Sequence, residues 1–235
     1  MYGITKIFVA TLLLSSTAVA QHEEIVRGDV GATLDAVYEA AEADGFAGAV
    51  LIARDGEILL QKGYGLANRE TETSWPPATI STIGSITKTF TAVALMKLAS
   101  EDKLAVDDPI TKYFDDVPED KQHITLHHLL THSAGLRGAH GGDFDKRATR
   151  DELLERAMKS DLLWGADMAG ERYEYSNTGY SLLAMIVEDL SGKPYEDYVR
   201  AAILEPAGMT DTGYTLDWDP SRFAHGYQND NETGV

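Results

Sequence analysis

Residues 46–68, "FAGAVLIARDGEILLQKGYGLAN", place two apolar runs on either side of Asp55-Gly56. An Asp-Gly dipeptide between β-type segments favours a two-residue turn with positive φ at both positions, and so predicts a β-hairpin. A two-stranded hairpin is not stable alone and needs further strands or a helix against one face. The rest of the chain offers mostly helices. Residues 30–44 carry Leu34, Val37, Tyr38 and Ala41 at helical spacing, and Gly45 stops them. After the "WPPAT" loop at 75–79, helices are predicted over 86–100, 125–132, 149–160 and 178–192, the last ended by Gly192. Pro109 stands where a short helix over 107–114 would begin, and Pro194 opens a further helix. Residues 136–147 form a Gly-rich polar loop, and the tail from Asp211 has no clear periodicity. These elements predict an α+β fold, an antiparallel sheet combined with a helical region, and show no repeats.

The first residues are of another kind. Lys6, the apolar run Ile7–Leu14 and Ala18-Val19-Ala20 before Gln21 form a secretory signal pattern. We therefore expect residues 1–20 to be a signal peptide and 21–235 one exported domain, secreted or periplasmic. The chain has no cysteine, so stability must come from the core, and cysteine nucleophiles and iron–sulfur clusters are excluded. Hydrophobic residues at 43% are enough for such a core. Against 20 Lys and Arg stand 38 Asp and Glu, spread along the chain. With no basic block, the charge argues against nucleic acid and anionic membrane surfaces as partners. The expected partner is a small-molecule or peptide substrate, with no membrane contact after signal cleavage and a monomeric chain.

Chemistry enters at "GSITKTF", residues 84–90, where Ser85 and Lys88 stand three apart at a helix start. Residues i and i+3 share a helix face, so the hydroxyl and the amine can meet. Ile86, Phe90, Ala92, Val93 and Ala94 surround Lys88 in sequence, and a desolvated amine loses preference for its charged form. Such an amine can help remove the serine proton, while N–H groups at the helix start suit a developing oxyanion. The same spacing also fits a Ser85 helix cap beside a solvated lysine. A second Ser-x-x-Lys at Ser100 and Lys103 shows how cheaply it arises.

Tyr175 and Asn177, in "ERYEYSNTGYSLLAMIVE", precede the most apolar helix. A phenol near a lysine cation has a lowered pKa and can act as a base, and an asparagine amide can bond both the lysine and a substrate carbonyl. A structural tyrosine and a turn asparagine fit the same letters. His127, His128 and His132 have metal-like spacing, but no zinc-protease pattern or nearby carboxylate completes a ligand set, so a structural role at a helix end is expected. No phosphate-binding loop and no Gly-x-Ser-x-Gly elbow occurs. No cofactor or metal is expected.

"GSITKTFTAVALMKLASEDKLAVDDPITKYF", "ITLHHLLTHSAGL" and "YEYSNTGYSLLAMIVEDLSGKPYEDYV", in this order, resemble the serine β-lactamase and penicillin-binding-protein superfamily. The likeness is to its class C β-lactamase-like branch and runs from about Gly45 to about Gly226, with "AHGY" at 224–227 as a further similar segment. It implies a β-lactamase/transpeptidase-like fold of α/β sandwich type. It further implies an acylated Ser85, Lys88 as its proton-accepting partner, Tyr175 as general base or sharing that role with Lys88, and Asn177 as the residue orienting Lys88 and the substrate amide. The implied activity is hydrolysis of an amide or ester: a β-lactam, a D-amino-acid peptide or a small ester.

The family's third motif, Lys/His-Thr/Ser-Gly or His-x-Gly on a strand after the tyrosine, has no match. His140-Gly141-Gly142 lies too early, and Glu232-Thr233-Gly234 puts an acid where a cation is wanted. Together with a hairpin lacking later sheet partners, this predicts a copy shortened at the C-terminus, without the last sheet strands. The alternative function is a non-catalytic relative, a binding or cell-wall-associated protein, or an inactive fragment.

Overall fold

A computed structural model describes residues 23–138, 148–214, 220–228 and 231–233. The chain forms two compact units, one of Met1–Thr82 with Asp217–Val235 and one of Ile83–Leu216.

The first unit is built on the predicted hairpin. Strand β1 is Ile25–Val26, helix α1 Gly28–Ala43, β2 Gly48–Arg54 and β3 Glu57–Tyr64. Asp55 and Gly56 both have positive φ, 55° and 80°, as a two-residue hairpin turn with the strands' own twist requires. The sheet is antiparallel in the order β1-β3-β2. The partner that the hairpin needs on its β3 side is thus β1, which comes before it; two residues are too few to show a strand pattern. Helix α1 covers the sheet, with Leu34 and Tyr38 against buried Val50, Leu60 and Tyr64. At its edge Asp35 accepts hydrogen bonds from Lys62 Nζ and Tyr64 Oη, both 2.8 Å. The Lys62 bond holds the Asp35 carboxyl below its usual range.

Two smaller pairings complete this unit. Strands β4 (Leu66–Asn68) and β5 (Thr73–Ser74) pair antiparallel. Ile80 bridges Phe223, and the His225 N–H donates to Ala67 O at 2.8 Å. The Arg69 N–H donates to Tyr227 Oη at 2.7 Å. The "AHGY" segment is thereby fastened to β4, and its strand β6 (Gly226–Gln228) pairs with β7 (Asn231–Thr233). Glu232 of the "ETG" segment thus stands on β7, opposite Tyr227. Among the described residues after 205, β6 and β7 are the only strands, and they pair with one another rather than with the β1-β3-β2 sheet.

The second unit is helical: α2 (Thr87–Ser100), α3 (Leu126–Leu130), α4 (Arg150–Lys159), α5 (Asn177–Ser191) and α6 (Tyr195–Val199), which runs on into a wide turn over Arg200–Leu204. Helix α2 buries Thr91, Ala94, Leu95 and Leu98, one stripe at helical spacing. Helix α5 buries Leu182, Leu183, Met185, Ile186 and Val187, and Gly192 caps it with φ 66°. With Ile124, Leu126, Leu129, Val199 and Leu204 they form the main core. Each fully buried leucine or isoleucine there contributes roughly 1.5–3 kcal/mol. Helix α4 begins with a capping box, Thr149 and Glu152 bonding each other's backbone N–H. Pro109 departs from expectation: it is extended, bridges Thr125 and precedes a single 3-10 turn over Ile110–Lys112. The reason is local pairing, since Ile110 N donates to Ile124 O and Leu126 N to Asp108 O. The expected loop 136–147 falls partly outside the described residues.

Candidate active site

Ser85, Lys88, Tyr175 and Asn177 all belong to the second unit, which brings them together. Ser85 does not cap α2. It lies within a 3-10 turn, Gly84–Ile86, that leads directly into the helix, and Ile86 holds the N-cap position without a side-chain bond. The serine is therefore exposed at the start of a continuous helical run. Lys88 follows one turn later, and its Nζ donates to Ser85 Oγ at 3.2 Å and to Asn177 Oδ1 at 2.7 Å.

The surroundings of Lys88 differ from the sequence expectation. Ile86 and Val93 are 61% and 45% exposed rather than buried with it. The half-buried lysine lies instead over aromatic rings, 4.7 Å from the Tyr175 centroid and 5.6 Å from that of Tyr180. A ring face attracts a cation, so both rings hold the amine in place beside Ser85.

Tyr175 Oη donates to Ser85 Oγ in a short contact. The Lys88 amine beside it, and secondly the Ser85 bond, hold the Tyr175 phenol below its ordinary pKa of 10.0, while slight burial opposes them. Ser85 Oγ thus accepts from both groups able to exchange a proton with it. If the phenol is ionised the same contact runs in reverse, with Ser85 donating to Tyr175.

The segment that presents Tyr175 is tied down by successive backbone donors. Glu174 N donates to His132 O at 2.9 Å, and Asn177 N to Gly138 O at 2.8 Å. Ser176 N donates to His132 Nδ1 at 3.1 Å. Ser176 is the N-cap of α5: its Oγ accepts from Gly179 N at 3.1 Å and donates to Arg137 O at 3.0 Å. Asn177 is hence the first helical residue rather than the cap, which leaves its amide to Lys88. Gly138 is required by this packing, because a Cβ there would stand 2.8 Å from Tyr175 O.

The histidines are divided by the structure. His128 Nδ1 accepts from Thr125 N and closes the capping box of α3, the helix-end role expected. His132 has more to do. Its ring lies 4.7 Å from Tyr175, 5.1 Å from Tyr180 and 5.8 Å from Tyr173, between ring centroids. Burial, with the Lys88 charge second, lowers its pKa. Sequence reasoning passed over Ser176 and Gly138 and gave His132 only a helix-end role, because their partners lie about 40 residues away in the chain. Among the described residues no group of three His, Asp or Glu is arranged to hold a metal ion.

Residues 34–234 match the Beta-lactamase family, and the chain belongs to it. PbpX of Bacillus subtilis (strain 168) is 36% identical over 185 residues, which are 78% of this chain and 46% of that protein. Esterase EstB of Burkholderia gladioli is 32% identical over 225 residues, 85% of this chain and 55% of EstB. The crystal structure of D-amino acid amidase from Ochrobactrum anthropi SV3, complexed with D-phenylalanine, superposes with a TM-score of 0.74 at 28% identity, covering 85% of this chain and 57% of the amidase. The fold is that of β-lactamases and transpeptidases, mixed α and β with antiparallel sheet, as expected. The chain spans about half the length of these relatives. No helix among the described residues is long and apolar enough to cross a membrane.

Proposed function

We propose that this chain is a serine hydrolase that works through an acyl-enzyme on an ester or amide carbonyl. The observation that carries this reading is the double contact on Ser85 Oγ, from Lys88 Nζ and Tyr175 Oη. Ser85 attacks the carbonyl carbon while its proton passes to the Tyr175 phenolate. Lys88 stabilises that phenolate and relays the proton to the leaving group. Asn177 fixes Lys88 and offers its amide to the substrate. The N–H of Ser85 itself is the donor we assign to the oxyanion that forms, since Ile86 N and Thr87 N already bond Ile83 O and Gly84 O. Water then attacks the acyl ester, with Tyr175 again accepting the proton. The kinship with an esterase and an amidase supports both carbonyl classes, and β-lactams and D-amino-acid peptides belong to the second.

The test is mass spectrometry after incubation with a penicillin or an activated phosphonate. The expected result is one adduct on Ser85, absent from Ser85→Ala; an adduct of equal yield in Ser85→Ala overturns the assignment. The second reading is a non-catalytic binding relative. A folded chain that binds the penicillin reversibly, without an adduct, would decide for it. We further propose export, with residues 1–20 removed, and a monomer. Intact-mass analysis of exported material and light scattering check these two points.

A further inference from the structure

We propose that neutral His132 is the positioning residue for Tyr175, holding the phenol against Ser85 and Lys88 through its ring stack and its Nδ1 bond to the Ser176 N–H. This rests on the reading of Tyr175 as proton acceptor. Three independent features converge on the residue. The imidazole lies against the Tyr175 ring with an interplanar angle of 37°, and makes a second contact of the same angle with Tyr180. Its Nδ1 and its backbone O accept the N–H groups of Ser176 and Glu174, the two residues that flank Tyr175. Its backbone has φ 58°, a left-handed conformation that few non-glycine residues adopt, just past the end of α3. Glycine is the ordinary residue at such a helix end; a histidine is tolerated there when its side chain has a use.

The Nδ1 acceptor exists only in the unprotonated ring. The titratable and charged groups facing it are Lys88 on α2, Tyr173 and Tyr175 before α5, and Tyr180 on α5. None is a carboxylate. Protonation would remove the bond to Ser176 and set a second cation toward Lys88. Acylation should therefore fail on the acid side of the ordinary imidazole range.

The experiment measures acylation of Ser85 by a chromogenic ester in the full chain, between about pH 8 and about pH 5, which brackets an imidazole. His132→Ala should lower kcat about 100-fold with little change in KM, the effect of a misplaced base. His132→Asn keeps an acceptor oxygen at the Nδ1 position and tolerates positive φ. It should recover the rate to within about 10-fold of the natural chain and make the acid limb shallower by one proton, the limb set by Tyr175 itself staying in place. A folded His132→Ala with the natural rate, or a His132→Asn with an unchanged acid limb, overturns the proposal. Ultraviolet titration of Tyr175, taken as the difference from Tyr175→Phe, separates this outcome from failure of the hydrolase reading. If the natural chain never acylates, that reading falls, yet His132→Ala should still move the Tyr175 titration upward. No movement in a folded variant overturns the positioning role, and His132→Asn serves both measurements if the alanine variant does not fold.

Discussion

Lys88 is the residue on which most of the site's electrostatics depends. It bonds Ser85 and Asn177, lies over two tyrosine rings and is the first cause of the lowered Tyr175 pKa. Replacing it with methionine keeps the stem and removes the charge. Tyr175 should then titrate near an ordinary phenol, about 10. A base acts in its deprotonated form, so the rate rises with pH through its pKa. The alkaline-going limb of Ser85 acylation in Lys88→Met should thus move upward, with the rate at neutral pH down about 100- to 10,000-fold. A pH profile of acylation measures both. Gly138 tests position without touching charge. Gly138→Ala drives a methyl against Tyr175 O, and should cost about 10- to 100-fold in kcat while circular dichroism stays that of the natural chain.

The elements around the site act through their ends. Helix α5 starts with a Ser176 cap and carries Asn177 at its first position. Ser176→Ala removes the acceptor for Gly179 N, and should destabilise the chain by about 1 kcal/mol in urea unfolding. The end of α3 makes the fold sensitive to acid. His128 and His132 both have folded pKa values lowered chiefly by burial. A depressed pKa means that the neutral rings are the stable ones, so their contribution is fully present above the ordinary imidazole value of about 6.5. It is lost as pH falls through the lower folded values. The melting temperature should drop on acidification from about pH 7.5 to about pH 5, and drop less in His132→Asn. Calorimetry across that range is the check.

At the scale of the molecule, net charge and kinship make the testable statements. A net charge of −18 opposes compactness by self-repulsion. Salt shortens the screening length from about 30 Å at 0.01 M to about 3 Å at 1 M. Sodium chloride should therefore raise the melting temperature between these concentrations, and a flat or falling response would show that local ion pairs such as Arg150 with Glu188 and Asp189 dominate.

The local sequence by itself determined the hairpin at Asp55-Gly56, the helices α2 and α5, the stop at Gly192, and the motifs that announced the family. Each is written within one turn or one period of chain, where neighbours in sequence are neighbours in space. Strand β1 was not legible, because two residues carry no alternation and its pairing with β3 is a long-range event. Nor was the environment of Lys88: the apolar neighbours that the sequence offered are partly solvent-facing, and rings from 87 and 92 residues away took their place. That Ser85 lies beside Tyr175 rather than capping a helix was likewise decided only by tertiary packing. Tertiary structure chose because a pKa and a proton path depend on distances of a few ångströms between groups far apart in the chain. His132 follows the same rule: its spacing announced a structural role at a helix end, and the folded chain turned its ring toward Tyr175.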